Sequence, residues 1–237
     1  MSTFQERLAA ARERERWVQV YREAPEVFRA FEDAEDPGGL AAERLRELAD
    51  TDGRRVLELG CGTGWLTRRL APDAARYLAV DASASMLELH RACGEAAGAR
   101  LLHARAERLP LADGSVDRVV ASWVLLDLRP ALRRAAHTEA LRVLAPGGEL
   151  WVVENHGTGD FQRLRGLEDP GGLGEARPLE DDLGLELREV VPTELRFPDA
   201  PTAARVLGAI LGVSVGAELE RSPRARMGLD VALFRGR

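Results

Sequence analysis

The run Val56-Leu57-Glu58-Leu59-Gly60-Cys61-Gly62-Thr63-Gly64-Trp65 constrains this chain more than any other stretch. Its apolar residues read as a buried strand, and the glycines at 60, 62 and 64 as a tight turn that opens a helix. A dinucleotide-binding turn places its third glycine one position later, so that a pyrophosphate rests on the helix N-terminus. Here position 65 is a bulky Trp. The spacing suits a ligand without phosphate, whose amino-acid part lies flat against the glycine backbone.

A second marker follows in Tyr77-Leu78-Ala79-Val80, a short strand closed by Asp81. In an open parallel sheet the ends of adjacent strands meet at the crevice where ligands bind. A carboxylate there accepts from two neighbouring ribose hydroxyls, through strong charge-assisted bonds. Together the two signals imply a nucleoside with an amino-acid arm.

The chain continues to alternate. Strands are expected at 54–59, 77–80, 100–104, 116–123 and 148–154, with helices at 64–70, 84–97 and 130–143. Such alternation predicts an α/β fold, a parallel sheet with helices on both faces. Before it, residues 3–22 read as a helix with an apolar stripe of Phe4, Leu8, Ala11, Trp17, Val18 and Tyr21. That helix either covers the sheet or forms a lid with Trp17 or Tyr21 toward the pocket. Pro37-Gly38-Gly39 breaks the chain before a helix at 40–49. The organisation expected is a helical cap over 1–50 and a ligand-binding domain over 51–237. After Glu154 the pattern loosens: a glycine-rich loop over 155–174, a short helix near 175–183, an extended stretch 185–197, a helix from 201 to 211 or 220, and a strand 228–235.

The motifs resemble a class I S-adenosylmethionine-dependent methyltransferase of the broad small-molecule type. Glu58 to Gly64 matches that family's first motif and Val80-Asp81-Ala82-Ser83 the second. Ala106-Glu107-Arg108-Leu109-Pro110-Leu111 with Asp113-Gly114-Ser115-Val116-Asp117 resembles the adenine-pocket stretch and fourth strand. Leu141 to Leu150, through Pro146-Gly147-Gly148, resembles the turn into the fifth strand. The resemblance implies a Rossmann-like, doubly wound, three-layer α/β/α fold with seven strands, mostly parallel, the last antiparallel. It also implies S-adenosyl-L-methionine as cofactor, with S-adenosyl-L-homocysteine as product. Carried over residue by residue, Gly60, Cys61, Gly62 and Gly64 approach the methionine portion, and Glu58 helps hold its ammonium. Asp81 binds the ribose, Ala82 and Met86 pack on the adenine, Ala106 offers its N–H to a ring nitrogen, and Ser122 lies near the amino-acid arm. Arg105 stands where many relatives carry an acid that accepts from the adenine amino group, and Glu107 is its substitute. The stretch Val124-Leu125-Leu126-Asp127-Leu128 lacks the histidines that many relatives carry there.

Composition narrows the classes. All 33 basic residues are arginine, so lysine Schiff-base chemistry is excluded. The net charge of −6 argues against a nucleic-acid partner, which calls for a basic excess or stripe. Two cysteines, Cys61 and Cys93, make no disulfide framework. No signal-peptide pattern and no membrane-length apolar run are visible, which leads to the expectation of a cytoplasmic protein. No cluster has metal-ligand spacing.

Four histidines remain. His90 and His137 read as helix residues, His90 on a surface helix, and His103 as a strand-end residue near the adenine edge. His156 follows the fifth strand at the ligand-gathering edge and is the candidate general base. Asp127 and Arg129 either bind substrate or cap the helix that starts at Pro130. The function expected is methyl transfer to a small-molecule acceptor, at oxygen or nitrogen. The alternatives are an RNA or protein methyltransferase, and a non-catalytic module that binds the same cofactor.

Overall fold

The computed structural model describes residues 4–94, 98–170 and 172–236; the side chains of residues 4–11 and 14 lie outside the described set, and with them the Phe4, Leu8 and Ala11 part of the expected stripe. One sheet contains β1 Arg55–Leu59, β2 Arg76–Asp81, β3 Ala99–His103, β4 Val116–Ser122, β5 Leu144–Asn155, β6 Glu186–Arg196 and β7 Arg226–Gly236. The strand order is β3-β2-β1-β4-β5-β7-β6. Strands β1 to β5 pair in parallel, and β7 runs antiparallel to both β5 and β6. This is the expected seven-stranded sheet. Its order turns back between β1 and β4, which places the ligand crevice at their carboxyl ends.

Ten helices surround it among the described residues: α1 Phe4–Glu23, α2 Pro25–Ala34, α3 Leu40–Ala49, α4 Thr67–Leu70, α5 Ala84–Ala92, α6 Pro130–Val143, α7 Asp160–Arg165, α8 Arg177–Asp181, α9 Ala200–Leu211 and α10 Val213–Arg221. Successive strand residues face opposite sides of a sheet. Val56, Tyr77, Val120 and Trp151 pack on one side with Leu45 of α3 and Leu207 and Ile210 of α9. Leu57, Leu59, Val119 and Val152 pack on the other with Ala136 and Ala140 of α6 and Leu179 of α8. Two cores, one per face, make the three layers, and they explain why these strands read as unbroken apolar runs.

Helix starts follow local chemistry. Ser83 and Asp199 accept from the N–H of Met86 and Thr202, and Asp36 accepts from those of Leu40 (3.0 Å) and Ala41 (2.9 Å) ahead of α3. Proline occupies the first turn of α2, α6, α8 and α9.

Several expectations need correction. Helix α2 was absent from the sequence reading, although Pro25 and the Val27, Phe28 and Phe31 spacing mark it. The expected loop 155–174 contains α7, buried on Phe161 and Gln162. The helix from 201 is two helices, split at Gly212 with φ 117°. The helix expected at 84–97 runs to Ala92, and residues 95–97 lie outside the described set. Val18 belongs to no buried stripe, being 50% exposed. No described helix is long and apolar enough to cross a membrane.

Candidate active site

The carboxyl ends of β1, β2, β4 and β5 open into a cavity of about 1020 Å³ beneath α1 and α2. Its volume stands at the top of the range of roughly 300–1,000 Å³ found for small-molecule sites. The floor is bare main chain. Gly60 and Gly62 adopt φ 66° and 52°. A Cβ on Gly60 would stand 1.9 Å from Val124 Cγ2, and one on Gly62 would stand 2.9 Å from Glu32 Oε1. Only glycine fits there, on conformational and on steric grounds.

Asp81 closes β2 at the edge of this floor, 4% exposed. One carboxylate oxygen accepts from Ser83 N–H at 2.8 Å. The other accepts from Gly62 N–H at 2.9 Å and from the Tyr21 hydroxyl at 2.8 Å. Burial raises its pKa, and these donors with nearby His103 pull it back. Burial and the Asp81 charge push the Tyr21 phenol up, so it remains a donor. Tyr21 thus ties α1 to the carboxylate expected to hold a ribose.

Of the residues singled out from sequence, Gly60, Cys61, Gly62, Asp81, Ala82, Ala106, Glu107 and Ser122 line this one cavity. Arg105 lines it too and pairs with Glu107. Four others, Glu58, Gly64, Met86 and His156, stand outside its wall. Glu58 is fully buried beneath the turn, accepting from Thr67 Oγ1 at 2.5 Å and Tyr77 OH at 3.0 Å. It braces the turn from below, and burial raises its carboxyl pKa to about 8. Gly64 faces the His90 ring, where a Cβ would stand 2.6 Å from Nε2. His90 is therefore fully buried under the turn, not on a surface helix. Met86 is fully buried in the α5 layer. His156 turns away: its Nδ1 lies 2.8 Å from Thr158 Oγ1, which bonds to Asp230, and its N–H donates to Asp230 O at 2.8 Å.

Trp17 and Tyr21 of α1 both line the cavity, as the lid alternative expects, while the α2 part of the roof, Phe28, Phe31 and Glu32, has no counterpart among the sequence expectations. Three of the four tryptophans, Trp17, Trp65 and Trp123, line the cavity. Trp17 packs edge-on against Phe31 at 5.0 Å, Tyr21 against Phe28 at 4.9 Å, and Trp65 against Trp123 at 4.9 Å. Trp123 follows β4 with φ 51°, a strained value for a bulky side chain. Its indole N–H donates to Asn155 Oδ1 at 2.9 Å, which holds it there.

The roof is also acidic. Glu32 bonds to Thr63 Oγ1 and lies over the glycine turn, and burial raises its carboxyl pKa to about 7 against the pull of Thr63, Arg68 and Arg29. Glu35 is pushed well up by burial, then by Glu32, Asp36 and Glu154. Glu154 is pushed well up by burial, then by Asp127. Burial and the nearby carboxylates push the Cys61 thiol up as well, so it is no nucleophile at neutral pH. Arg165 ties the far edge together through Glu13 of α1 and Glu175, each at 2.6 Å. The described residues contain no group of three or more His, Cys, Asp or Glu placed to hold a metal ion.

A sheet of this order with a glycine floor, an acidic strand end and no phosphate-binding spacing defines a class of nucleoside-binding α/β protein. Comparison with known proteins agrees with it. Residues 57–152 match the family model described as a methyltransferase domain. A malonyl-[acyl-carrier protein] O-methyltransferase of Dechloromonas aromatica is 30% identical over 211 residues, covering 81% of this chain and 74% of that protein. A demethylmenaquinone methyltransferase of Beutenbergia cavernae is 37% identical over 136 residues, 54% of this chain and 55% of the relative. The chain thus spans about half the length of several curated relatives it matches. The YcgJ protein of Bacillus subtilis has the same fold, with TM-score 0.59 and 16% identity over 83% of this chain and 97% of that one. The N-methyltransferase NodS of Bradyrhizobium japonicum, solved with S-adenosyl-L-homocysteine, gives TM-score 0.52 and 19% identity over 83% and 85%. The chain belongs to the S-adenosylmethionine-dependent methyltransferase family.

Proposed function

We propose that this protein transfers a methyl group from S-adenosylmethionine to a small-molecule acceptor, at oxygen or nitrogen, beneath a lid formed by α1 and α2. The observation that carries the reading is the meeting of the side-chain-free Gly60–Gly62 floor with the buried Asp81 carboxylate in one cavity of about 1020 Å³. Those residues fit the donor: bare backbone suits an amino-acid arm, and a carboxylate suits a ribose diol. When bound, the donor supplies a methyl carbon made electrophilic by the positive sulfur.

The protein's own residues bind and align. Gly60, Cys61 and Gly62 let the arm approach the main chain, with Ser122 beside it at the end of β4. Asp81 accepts the sugar hydroxyls, Ala82 and Ala106 flank the base, and Glu107 stands at its edge. The leaving group is a neutral thioether, so alignment and exclusion of water supply most of the acceleration. Trp17, Tyr21 and Phe28 provide that exclusion from above. The two relatives are named for different acceptors, which directs attention to the roof as the seat of acceptor choice.

Calorimetric titration with S-adenosylmethionine and S-adenosylhomocysteine, beside NAD, tests the reading, followed by transfer of labelled methyl to acceptor panels. Binding of both sulfur nucleosides without NAD is expected. NAD binding in their place would overturn the assignment.

A further inference from the structure

Glu35 is 4% exposed and lines the cavity. Its main-chain oxygen is taken by Trp65 Nε1 at 3.0 Å. Among the described residues no donor lies within hydrogen-bonding distance of its carboxylate. Glu154, also 4% exposed, ends β5 on the same wall and receives one long bond, from Leu126 N–H at 3.4 Å. Buried carboxylates so poorly supplied with donors are costly unless a proton or a cation reaches them.

The nearby guanidiniums make other bonds, and the charges of Arg69 and Arg133 offset only part of the cost of burying Glu35 and Glu154. Arg22 and Arg105 also line the cavity. Arg165 holds Glu13 and Glu175, and Arg133 donates to the carbonyls of Leu125, Leu126 and Leu128. Arg69 donates to the carbonyls of Trp65 and Asp36. The surrounding surface is aromatic, from Trp17, Phe28, Phe31 and Trp123. An anionic acceptor would meet like charge at Glu35 and Glu154, and an alcohol would add no positive charge to the partial offset from Arg69 and Arg133. An ammonium pairs with the carboxylates, and aromatic faces attract cations.

Building on the methyl-transfer reading above, we infer that the acceptor is a small cationic amine with an apolar body, received between the roof aromatics and the carboxylates of Glu35 and Glu154. One carboxylate of the pair takes a proton from the ammonium, which leaves a neutral amine and a carboxylic acid. The nitrogen lone pair forms the new N–C bond while the C–S bond breaks, its electron pair staying on sulfur. The products are a methylated ammonium and a neutral thioether, and the proton on the carboxylic acid passes to solvent. Burial holds both carboxyls above their ordinary range, which favours uptake of a proton.

The test uses the whole chain loaded with S-adenosylhomocysteine and three probes that share one ring: 2-phenylethylamine, 2-phenylethanol and 3-phenylpropionate. Calorimetry should show the amine binding about 10- to 100-fold more tightly than the alcohol, the range for a charged hydrogen bond, with the acid weakest. With labelled donor, only the amine should take up methyl. Equal or tighter binding of the alcohol or the acid, or no binding of the amine, overturns the inference. Failure of S-adenosylhomocysteine to bind overturns the methyl-transfer reading instead, and amine selectivity is then read on the protein alone. Glu35→Gln and Glu154→Gln should each raise the KM of the amine about tenfold or more, with S-adenosylhomocysteine affinity retained. A parallel loss of S-adenosylhomocysteine affinity would assign these carboxylates to the donor and overturn the inference.

Discussion

Replacing Tyr21 by Phe removes one hydroxyl and keeps the ring that packs edge-on against Phe28 at 4.9 Å. The two oxygens of a carboxylate offer about four acceptor positions. On Asp81 three are taken, by Ser83 N–H, Gly62 N–H and the Tyr21 hydroxyl. A ribose diol needs two, so Tyr21 must release its own before both sugar hydroxyls are accepted. A hydrogen bond to a charged group is worth about 1.5–3 kcal/mol net. The Phe variant forfeits that amount in the unliganded protein and nothing in the loaded one. Unfolding in urea should therefore show a stability lower by about 1.5–3 kcal/mol. Calorimetry should show S-adenosylhomocysteine binding about 10- to 150-fold more tightly by the same free energy. At saturating ligand the two proteins should converge in stability, because ligand linkage restores what the hydroxyl gave. Weaker binding by the variant would refute the reasoning, since it would place the phenol on the ligand and not in competition with it.

Four further outcomes follow from the same geometry. Asp81→Asn should weaken S-adenosylhomocysteine binding by about 1.5–3 kcal/mol in a calorimetric titration, and unchanged affinity would remove Asp81 from the site. Gly60→Ala should cost about 1–3 kcal/mol in urea unfolding. Adding Val124→Ala should recover only part of it, because the overlap is relieved but the positive φ persists. Glu58 has a folded pKa of about 8, above its unfolded value, so the native state holds a proton that the unfolded chain has lost. Its contribution is complete below the unfolded pKa of about 4.3 and is lost as pH rises through about 8; Glu58→Gln should flatten that decline in unfolding curves taken across this window. His156→Ala should leave labelled-methyl turnover largely unchanged, since its ring is engaged with Thr158 and stands outside the cavity wall; a large loss would bring His156 back as a base.

The floor of the site was legible because its signals are local. Glycines at 60 and 62 and an acid at the end of the next strand act within a few residues of where they are read. The direction of Glu58 was not legible. In a central strand covered on both faces, apolar residues occupy both sides, and alternation gives no face. Its side chain shares the face of Val56 and Tyr77, away from the cavity. His90 was misread for a related reason: only the fold shows that a helix one strand later lies under the glycine turn. The roof depends on α2 and the residue that caps its end: Phe28, Phe31, Glu32 and Glu35 converge on the cavity only once α1 and α2 fold over the sheet edge. No spacing rule links residues 28–35 to Glu154.

The division of labour between the two surfaces of the cavity has an evolutionary consequence. The lower surface is made by strand ends and glycines whose backbone conformation tolerates almost no change. The upper one is made largely by side chains on the two N-terminal helices. Mutations at positions 17, 28, 31 and 35 can therefore retune the ligand admitted from above while the machinery below keeps its geometry. A lineage built on this plan is free to change what it modifies far faster than how.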